Sequence, residues 1–486
     1  MDFIDFTNKV EDGFTLIPLI KELDAIEKEA IDVYSEHFDQ KKSFFFESLE
    51  GDKNWSRYTI IGCSSGEYIE VFGSKIKKYN NFLEESEHHD TNPINWIEDY
   101  FSSFNVFIPK ILPSFCGGLV GHFSFESVCY FESSVSRKEQ ENDINAPDIS
   151  LMICKDFIVF DKVNNKIFIV VFSSNTAEGY DESTKKLNNY ELLLNKDLTN
   201  KKDRKTSYEI NLQYDFQKQD FISSVDKIKK YISEGDVMQV VLSQRMTMDF
   251  KEKPIEFYKE LRKINPSPYM YYLNMGEYTV VGSSPEILVR LEDEDITVRP
   301  IAGTRPRSDN YQKDKDYEID LLNDKKELAE HLMLIDLGRN DIGRICKTGT
   351  VKLTDQMIVE KYSHVMHMVS NVEGKIKPNQ SMFDVLRATF PAGTVSGAPK
   401  IRALQIIFEL EKINRGIYAG AIGYLGWNGN MDTAIAIRTC VIKSEKLHIQ
   451  CGAGIVYDSI PELEWDETIN KGKAIIKALE KLRERT

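Results

Sequence analysis

Two acidic segments carry carboxylates at a spacing that places them on one helix face. Glu327 and Glu330 are three residues apart in ELAEHLMLIDLGRND, and Glu464, Glu467 and Lys471 follow helical periodicity in PELEWDETINKGKAIIKAL. Side chains three or four residues apart are neighbours on an α-helix. Carboxylate oxygen suits Mg²⁺, and like charges on a partly buried face are costly unless a cation neutralises them. The spacing favours one Mg²⁺ held between two helices by these four carboxylates; two solvated helix faces are the alternative.

Three glycine-rich segments are candidate anion sites: PIAGTRPR (300–307), FPAGTVSGAPK (390–400) and CGAGIVYDS (451–459). Glycine lets backbone N–H groups approach a ligand closely, and successive N–H groups bind a carboxylate. None of the segments has the spacing of a Walker loop or of a dinucleotide-binding loop. Each alone is equally compatible with a structural turn. Together with Arg438 in AIAIRT they indicate several anion contacts around one pocket.

The elements that must position these side chains are short strands and a few longer helices. Before residue 173, segments such as SRYTIIGC, SGEYIEVFG and DISLMICKDFIVFD are β-rich and punctuated by turn residues, which predicts an antiparallel sheet. Periodicity predicts helices over 19–37 and 95–104 in this half, and over 317–337, 381–390 and 462–483 in the second half. Strands in series with inserted helices indicate an α+β fold.

The chain has 486 residues, more than one hydrophobic core usually serves, so two lobes or one large composite sandwich are expected. A polar stretch from 173 to 219 contains ELLLNKDLTNKKDRKTSYEINLQYD, which is typical of a helix followed by a solvated connector. We therefore predict an amino-terminal lobe over 1–205 and a second lobe over 215–486.

Charge and cysteine usage exclude several protein classes. The 77 acidic and 62 basic residues give a formal net charge of -15, which argues against a nucleic-acid partner. The seven cysteines are scattered and never form CxxC, so reduced thiols in the cytoplasm are expected. The amino terminus lacks the pattern of a signal peptide, and no apolar run reaches the roughly 20 residues of a membrane span, so no membrane association is expected.

The ordered series PIAGTRPR, ELAEHLMLIDLGRND, YSHVMHMVS, FPAGTVSGAPK, AIAIRT, GAGIVYDS and the final ExxExxxK resembles the chorismate-utilising enzyme family across 215–486. The first half is similar more loosely, through FFFESLEGDKNWSRYTIIG and CGGLVGHFSFE, to the regulatory lobe of the anthranilate and aminodeoxychorismate synthases. This resemblance implies an α+β fold, a two-lobed sandwich of antiparallel β-sheets with helices packed outside.

The resemblance also assigns roles to single positions. Glu330 and Glu467 match direct Mg²⁺ ligands, and Glu327 and Glu464 match carboxylates that support the ion through water. Glu286, in GSSPEIL, matches the acid that protonates the departing C4 hydroxyl of chorismate. His367, beside the substrate ring, and Thr304 complete the implied catalytic group. The implied substrate-binding residues are Thr394, Tyr418, Arg438, Gly452, Ala453, Gly454 and Lys471.

Two positions separate branches of the family. Water-using relatives carry a lysine base where this chain has Gln239, and an amide cannot activate water. Aminodeoxychorismate synthases place a nucleophilic lysine where Ala302 stands here, so direct addition of ammonia at C2, pyruvate elimination and an anthranilate product are favoured. Aminodeoxychorismate and aminodeoxyisochorismate remain alternative products.

No GxCxG nucleophile motif is found, and Cys116 in SFCGG lacks the first glycine of that motif. The resemblance therefore implies a separate glutamine amidotransferase subunit as the ammonia source.

The resemblance implies feedback inhibition by tryptophan. Glu47 and Ser48 in FFFESLEG, with Pro268, Tyr269 and Met270 in NPSPYMYY, match tryptophan-binding elements. The family more often has Leu-Leu before this Glu-Ser pair, whereas this chain has Phe-Phe. Aromatic residues that only fill the core are the alternative. A tryptophan-sensing protein without activity is the non-enzymatic alternative, although such a protein would be expected to lose a metal carboxylate or the acid.

Overall fold

The computed structural model describes residues 1–50, 57–89, 91–136, 144–198, 210–362 and 365–485. The predicted lobe boundary at residue 205 and positions 51–56 of the FFFESLEGDKNWSRYTIIG segment lie outside these residues. The strands are β1 (Leu16–Asp24), β2 (Ser43–Glu47), β3 (Tyr58–Gly62), β4 (Tyr68–Phe72), β5 (Lys75–Asn80), β6 (Leu83–His88), β7 (Gly118–Phe123), β8 (Ile149–Cys154), β9 (Asp156–Asp161), β10 (Lys166–Ser174), β11 (Gln213–Tyr214), β12 (Gln239–Asp249), β13 (Tyr269–Asn274), β14 (Thr279–Ser284), β15 (Ile287–Glu292), β16 (Asp295–Val298), β17 (Ile301–Pro306), β18 (Lys352–Lys361), β19 (Val365–Lys375), β20 (Gly397–Ala398), β21 (Ala421–Gly426), β22 (Met431–Ile435), β23 (Thr439–Lys443) and β24 (Lys446–Ile455).

The helices flank these strands. They are α1 (Phe3–Glu11), α2 (Ala30–Val33), α3 (Pro93–Ser102), α4 (Val128–Phe131), α5 (Ala177–Asn195), α6 (Lys218–Ser233), α7 (Pro254–Ile264), α8 (Tyr311–Asn323), α9 (Lys325–Gly343), α10 (Met382–Thr389), α11 (Lys400–Leu410) and α12 (Pro461–Arg485). A π-helical turn spans Tyr34–Phe38, and 3₁₀ turns span Phe125–Ser127 and Gly393–Val395.

The strands form two antiparallel sheets. The order in the first sheet is β1-β10-β9-β3-β2-β13-β14-β23-β24-β12-β11, with β20 also paired to β12. The order in the second sheet is β17-β19-β16-β15-β22-β21-β7-β8-β4-β5-β6, with β18 also paired to β19. This arrangement confirms the predicted α+β sandwich of antiparallel sheets.

The central strands of each sheet bury residues on both faces, since successive strand residues point to opposite sides and clusters of buried side chains lie on each side. Phe44 on β2 lies in the cluster between the two sheets, together with residues such as Met152 of the second sheet. Its neighbour Phe45 lies on the other side of the first sheet, in a cluster that includes Phe257 of α7 and Leu479 of α12. A third cluster packs the outer face of the second sheet against helices that include α3 and α10. The helices therefore cover the outside of the sandwich.

Both sheets combine strands from the two halves of the chain. In the first sheet β2 pairs with β13, with Glu47 opposite Met270. In the second sheet β7 pairs with β21, with Phe123 opposite Ala421. Strands from before and after the polar stretch at 173–219 thus share continuous hydrogen-bonded ladders.

Two helix predictions differ from the structure. The helix over 19–37 is wrong in its first part, because Leu16–Asp24 is an edge strand paired with β10; Pro18 is tolerated there because an edge strand has one unpaired side. The helix over 317–337 is two helices. Asp324 ends the first and caps the second by accepting hydrogen bonds from the backbone N–H groups of Lys326 and Glu327, a cap that the Asp-Lys-Lys-Glu sequence signals.

Across the described ranges, no helix is both long and apolar enough to cross a membrane. All seven cysteines are free thiols, and six of them are buried.

Candidate active site

A cavity of about 500 Å³ lies where α9 and α12 meet the first sheet and β17. It brings together predicted site residues from segments that lie far apart in the chain. Every predicted catalytic, metal and substrate residue except Ala453 lines it, namely Glu286, Thr304, Glu327, Glu330, His367, Thr394, Tyr418, Arg438, Gly452, Gly454, Glu464, Glu467 and Lys471. Ala453 is fully buried in β24, opposite Leu242 of β12.

Two glycines of β24 form a wall of the cavity. A methyl group added to Gly452 would lie 2.8 Å from Oη of Tyr418, and one added to Gly454 would lie 2.5 Å from Nε2 of Gln239. Both distances are below normal van der Waals contact. Only glycine therefore leaves room at these two positions for the side chains that face the cavity.

Helix α9 presents Glu327 and Glu330 to the cavity. Oε1 of Glu330 accepts a hydrogen bond of 3.0 Å from Nε2 of Gln239 on β12. Glu327 lies 3.4 Å from Nη1 of Arg305, whose guanidinium also binds Asp324 at 2.8 Å. The two carboxylates are thus oriented by partners on neighbouring strands.

Helix α12 presents Glu464, Glu467 and Lys471 to the same cavity. Nζ of Lys471 lies 2.7 Å from Oε1 of Glu467 and donates a 2.9 Å hydrogen bond to the carbonyl of Gly452. Arg438 donates a 2.6 Å hydrogen bond to the carbonyl of Lys471. Two cations therefore stand beside the carboxylates, where they can attract the carboxylates of a bound anion.

The four carboxylates match the donor chemistry of Mg²⁺. Burial raises the pKa of Glu327, and the neighbouring carboxylate of Glu330 raises it further. Burial likewise raises the pKa of Glu464, with Glu467 adding to the effect. A divalent cation would relieve this repulsion, and hard oxygen ligands suit Mg²⁺. Among the described residues, no three His, Cys, Asp or Glu side chains are close enough to form a preassembled metal site.

Glu286 is the most strongly perturbed acid in the cavity. It follows β14 and is 6% exposed, and burial raises its pKa from 4.5 to about 8. The Thr394 hydroxyl, the Ile301 backbone N–H and the Lys471 ammonium lower the pKa by smaller amounts. The buried Thr394 oxygen itself makes no hydrogen bond of acceptable geometry with the described residues. At neutral pH the Glu286 carboxyl is therefore mainly protonated and can donate a proton.

His367 lies on β19, opposite Thr304 of β17. Its Nδ1 is 3.1 Å from the carbonyl oxygen of Gly303 and 3.1 Å from the hydroxyl of Thr304. A carbonyl only accepts hydrogen bonds, so Nδ1 carries the proton in the neutral ring and Nε2 is an acceptor. Burial lowers the pKa of His367. The ring is therefore neutral near pH 7 and offers Nε2 as a base.

A second cavity, of about 340 Å³, lies between the two sheets. Glu47, Ser48, Pro268, Tyr269 and Met270, the residues predicted to bind tryptophan, all line it. Aromatic and apolar side chains form much of the wall, while Arg290 and Asp432 supply charge. A mostly apolar pocket with a few polar groups is the usual form of a small-ligand site.

Four hydrogen bonds hold two carboxylates, those of Glu47 and Asp432, in the wall of this second cavity. Glu47 accepts 2.8 Å hydrogen bonds from the Tyr258 hydroxyl and from Nε of Arg262. Tyr269 donates a 2.9 Å hydrogen bond to Asp432, which also accepts from Nε of Arg290 at 3.0 Å. These bonds fix the orientation of both carboxylates.

Sequence reasoning misses several cavity residues. From the sequence, Gln239 is notable only because it stands where some relatives have a lysine. The structure shows that its side-chain amide donates a hydrogen bond to Glu330. Lys326, Gln450 and Asn470 also line the cavity. Lys326 directly precedes Glu327, and Asn470 directly precedes Lys471. This adjacency to predicted site residues could have identified both positions from the sequence. No local pattern marks Gln450.

The chain is similar to several known proteins. A family model described as chorismate binding enzyme matches residues 49–477. Anthranilate synthase component 1 of Pseudomonas aeruginosa is 45% identical over 480 residues, which is 98% of each chain. The crystal structure of anthranilate synthase component I from Streptococcus pneumoniae superposes with a TM-score of 0.78 at 36% identity, covering 93% of this chain and 98% of that one. The menaquinone-specific isochorismate synthase of Escherichia coli shares the fold, with a TM-score of 0.70 at 16% identity and coverage of 98% and 99%.

Proposed function

This chain belongs to the chorismate binding enzyme family, and from that membership we propose that it aminates chorismate at C2 with ammonia and then eliminates pyruvate to give anthranilate. Relatives named anthranilate synthase component 1 cover nearly the whole chain at 45% identity. The product is the first intermediate committed to tryptophan biosynthesis. Residues 215–486 supply most of the catalytic machinery, and residues 1–205 contribute regulatory elements.

The observation that carries this proposal is the burial of the Glu286 carboxyl, which raises its pKa to about 8, inside the cavity that also holds the cations and the four metal carboxylates. Hydroxide is a poor leaving group, so the C4 hydroxyl must receive a proton as ammonia attacks C2. A carboxyl with a pKa of about 8 is still protonated at pH 7 and can supply that proton. The C2–N bond forms, the two ring double bonds shift, the C4–O bond breaks, and the hydroxyl leaves as water with the Glu286 proton. The attacking nitrogen then loses a proton.

The identity of the nucleophile follows from two wall residues. Gln239 lines the cavity where a water-activating base would stand, and its amide is already bound to Glu330. Ala302 lines the cavity on β17 and offers no nucleophile for a covalent intermediate. Both features favour direct attack by ammonia.

The donor set fits a Mg²⁺ ion, which Glu330 and Glu467 would hold with support from Glu327 and Glu464. When bound, the ion withdraws electron density from the ring carboxylate. Lys471 and Arg438 hold the substrate carboxylates by charge. Thr394, Tyr418 and the backbone around Gly452 and Gly454 hold them by hydrogen bonds.

Pyruvate elimination requires loss of the C2 proton, cleavage of the C3–O bond and aromatisation of the ring. His367 is neutral and presents Nε2 as an acceptor, because its Nδ1–H donates a hydrogen bond to the carbonyl of Gly303. We assign to His367 the role of accepting that proton, with Thr304 fixing the ring orientation.

We infer that another protein supplies ammonia when glutamine is its source. Burial raises the pKa of Cys116 to about 12, so this thiol is not the nucleophile of a glutaminase. A separate glutamine amidotransferase subunit is the proposed partner, and free ammonium is expected to substitute for it in vitro. The 340 Å³ cavity is the proposed site for tryptophan as an inhibitor.

The direct test incubates purified protein with chorismate, Mg²⁺ and ammonium at mildly alkaline pH, where more NH₃ is unprotonated. Anthranilate is fluorescent, and its appearance together with pyruvate in equal amounts is the expected result. Accumulation of aminodeoxyisochorismate or of a 4-amino product would contradict the proposed reaction. Formation of isochorismate, without any amination, would contradict it as well.

A further inference from the structure

Arg415 is a cation buried behind the wall of the 500 Å³ cavity. The residue is 2% exposed, and its guanidinium donates to two backbone carbonyls. Nη1 lies 2.7 Å from the oxygen of Val395, and Nη2 lies 2.7 Å from the oxygen of Val241. Val395 and Val241 both line the cavity. One side chain therefore ties the 3₁₀ turn that carries Thr394 to strand β12.

Glu411 balances this buried charge. Its carboxylate accepts two hydrogen bonds from Arg415, one from Nε at 2.8 Å and one from Nη2 at 2.7 Å. The same carboxylate accepts 2.8 Å hydrogen bonds from both the backbone N–H and the hydroxyl of Ser243. Planar two-point contacts fix the direction of a guanidinium as well as its position.

Glu126 holds the backbone of the same segment. Its two carboxylate oxygens accept from the backbone N–H groups of Arg415 at 2.7 Å and Gly416 at 3.0 Å. The guanidinium carbon also lies 4.3 Å from the centre of the Phe125 ring and 5.6 Å from that of Tyr418. Glu126, from the first half of the chain, thus fixes the backbone two residues before Tyr418.

We propose that Arg415, fixed by Glu411 and Glu126, is a positioning residue that sets the placement of Thr394 and Tyr418 in the substrate cavity. The inference rests on the proposed function, because those two residues are assigned there to chorismate. Arg415 itself does not line the cavity, so it acts through the carbonyls of Val395 and Val241.

The test uses the charge-preserving change Arg415→Lys in the full chain. An ammonium is a point charge that cannot reproduce the planar fork to two carbonyls and a carboxylate. We expect the KM for chorismate to rise about tenfold while kcat falls less than about threefold, because Thr394 and Tyr418 bind the substrate before the reaction begins. Hydrogen exchange of the backbone amides at 393–397 should quicken in the protein without substrate.

The matched control is Lys42→Arg in the buried pair Lys42–Glu70, which joins the two sheets and does not line the cavity. It should lower the thermal midpoint without changing the KM for chorismate. If Arg415→Lys fails to fold, the double change Glu411→Leu with Arg415→Met replaces the buried pair by apolar side chains, which proteins often tolerate. The same rise in KM is expected.

Unchanged KM together with unchanged exchange at 393–397 would overturn the positioning role. The exchange measurement needs no turnover, so it decides the role even if wild-type protein does not convert chorismate. Failure of the proposed reaction would instead appear as absent anthranilate in the wild-type protein.

Discussion

The side-chain amide of Gln239 donates a 3.0 Å hydrogen bond to Oε1 of Glu330, joining β12 to α9 across the floor of the cavity. This bond occupies one oxygen of the Glu330 carboxylate, whose residue lines the cavity. It also explains the need for glycine at 454, since a methyl group there would lie 2.5 Å from the same amide nitrogen.

Replacing Gln239 by Met removes this bond while keeping a side chain of similar length. Glu330 then loses its fixed orientation, and loss of a residue that orients a metal ligand costs about 10- to 100-fold in metal affinity. We expect the Mg²⁺ concentration for half-maximal activity to rise by at least about tenfold. Isothermal titration with Mg²⁺ checks the same affinity without turnover. Gln312→Met on exposed α8 is the control, and equal Mg²⁺ affinity in the two variants would contradict the assignment.

Glu286→Gln removes the proposed proton donor but preserves size and hydrogen-bond capacity. Loss of a general acid is expected to reduce kcat by about 10²- to 10⁴-fold. Chorismate binding, measured by quenching of protein fluorescence, should change little. Glu294→Gln, on an exposed turn, should behave as wild type. A Glu286→Gln enzyme with wild-type turnover would exclude Glu286 as the acid.

The same carboxyl predicts how stability depends on pH. Its pKa is raised from 4.5 to about 8 on folding, so between those values the native state binds more protons than the unfolded state. The contribution of Glu286 to the free energy of unfolding of the protein therefore falls as pH rises through this window. Urea titrations at pH 5, 7 and 9 should show Glu286→Gln gaining stability relative to wild type as pH rises. A constant difference between the two proteins would show that the carboxyl ionises normally.

Activity should follow the same ionisation. Because the acid must be protonated, the rate per mole of NH₃ is expected to fall as pH rises through about 8. The rate per mole of total ammonium rises over part of this range, since more NH₃ is unprotonated. Rates divided by the NH₃ concentration at each pH separate the two effects. A rate per NH₃ that stays flat from pH 7 to 9 is the opposing result.

Removal of the divalent ion should abolish turnover and lower stability. Four carboxylates share one cavity, and burial already raises the pKa of two of them. A ligand at 100 times its dissociation constant stabilises the native state by about 2.7 kcal/mol, so Mg²⁺ should raise the thermal midpoint of EDTA-treated protein. The double change Glu330→Gln with Glu467→Gln should eliminate that rise. Full activity in metal-free buffer would reject the metal site.

The 340 Å³ cavity predicts variants that resist tryptophan. Ser48 lines it, so Ser48→Leu should fill part of the space and weaken an inhibitor bound there. We expect the tryptophan concentration for half inhibition to rise about tenfold or more. Neither kcat nor the KM for chorismate should change more than about twofold, because Ser48 does not line the larger cavity. Undiminished inhibition in this variant would place the tryptophan site elsewhere.

Local patterns suffice for features that depend on near neighbours in the chain. Helical periodicity places Glu327 with Glu330 and Glu464 with Glu467, because a helix brings such residues onto one face whatever surrounds it. The same reasoning fails at Leu16–Asp24, whose strand partner β10 lies more than 140 residues away. It also misses the helix break at Asp324, although the capping residues are present in the sequence.

The sequence by itself determined the candidate residues: four acids suited to a hard cation, and cations and glycines suited to anions. Its resemblance to the family added that a lysine base is missing at Gln239 and a lysine nucleophile at Ala302. Only the tertiary structure decided that these groups line one cavity, because strand pairing and helix packing bring together segments remote in sequence. Burial raises the pKa of Glu286 and the Gly303 carbonyl sets the tautomer of His367, since a pKa and a hydrogen-bond partner depend on surroundings that no local pattern encodes.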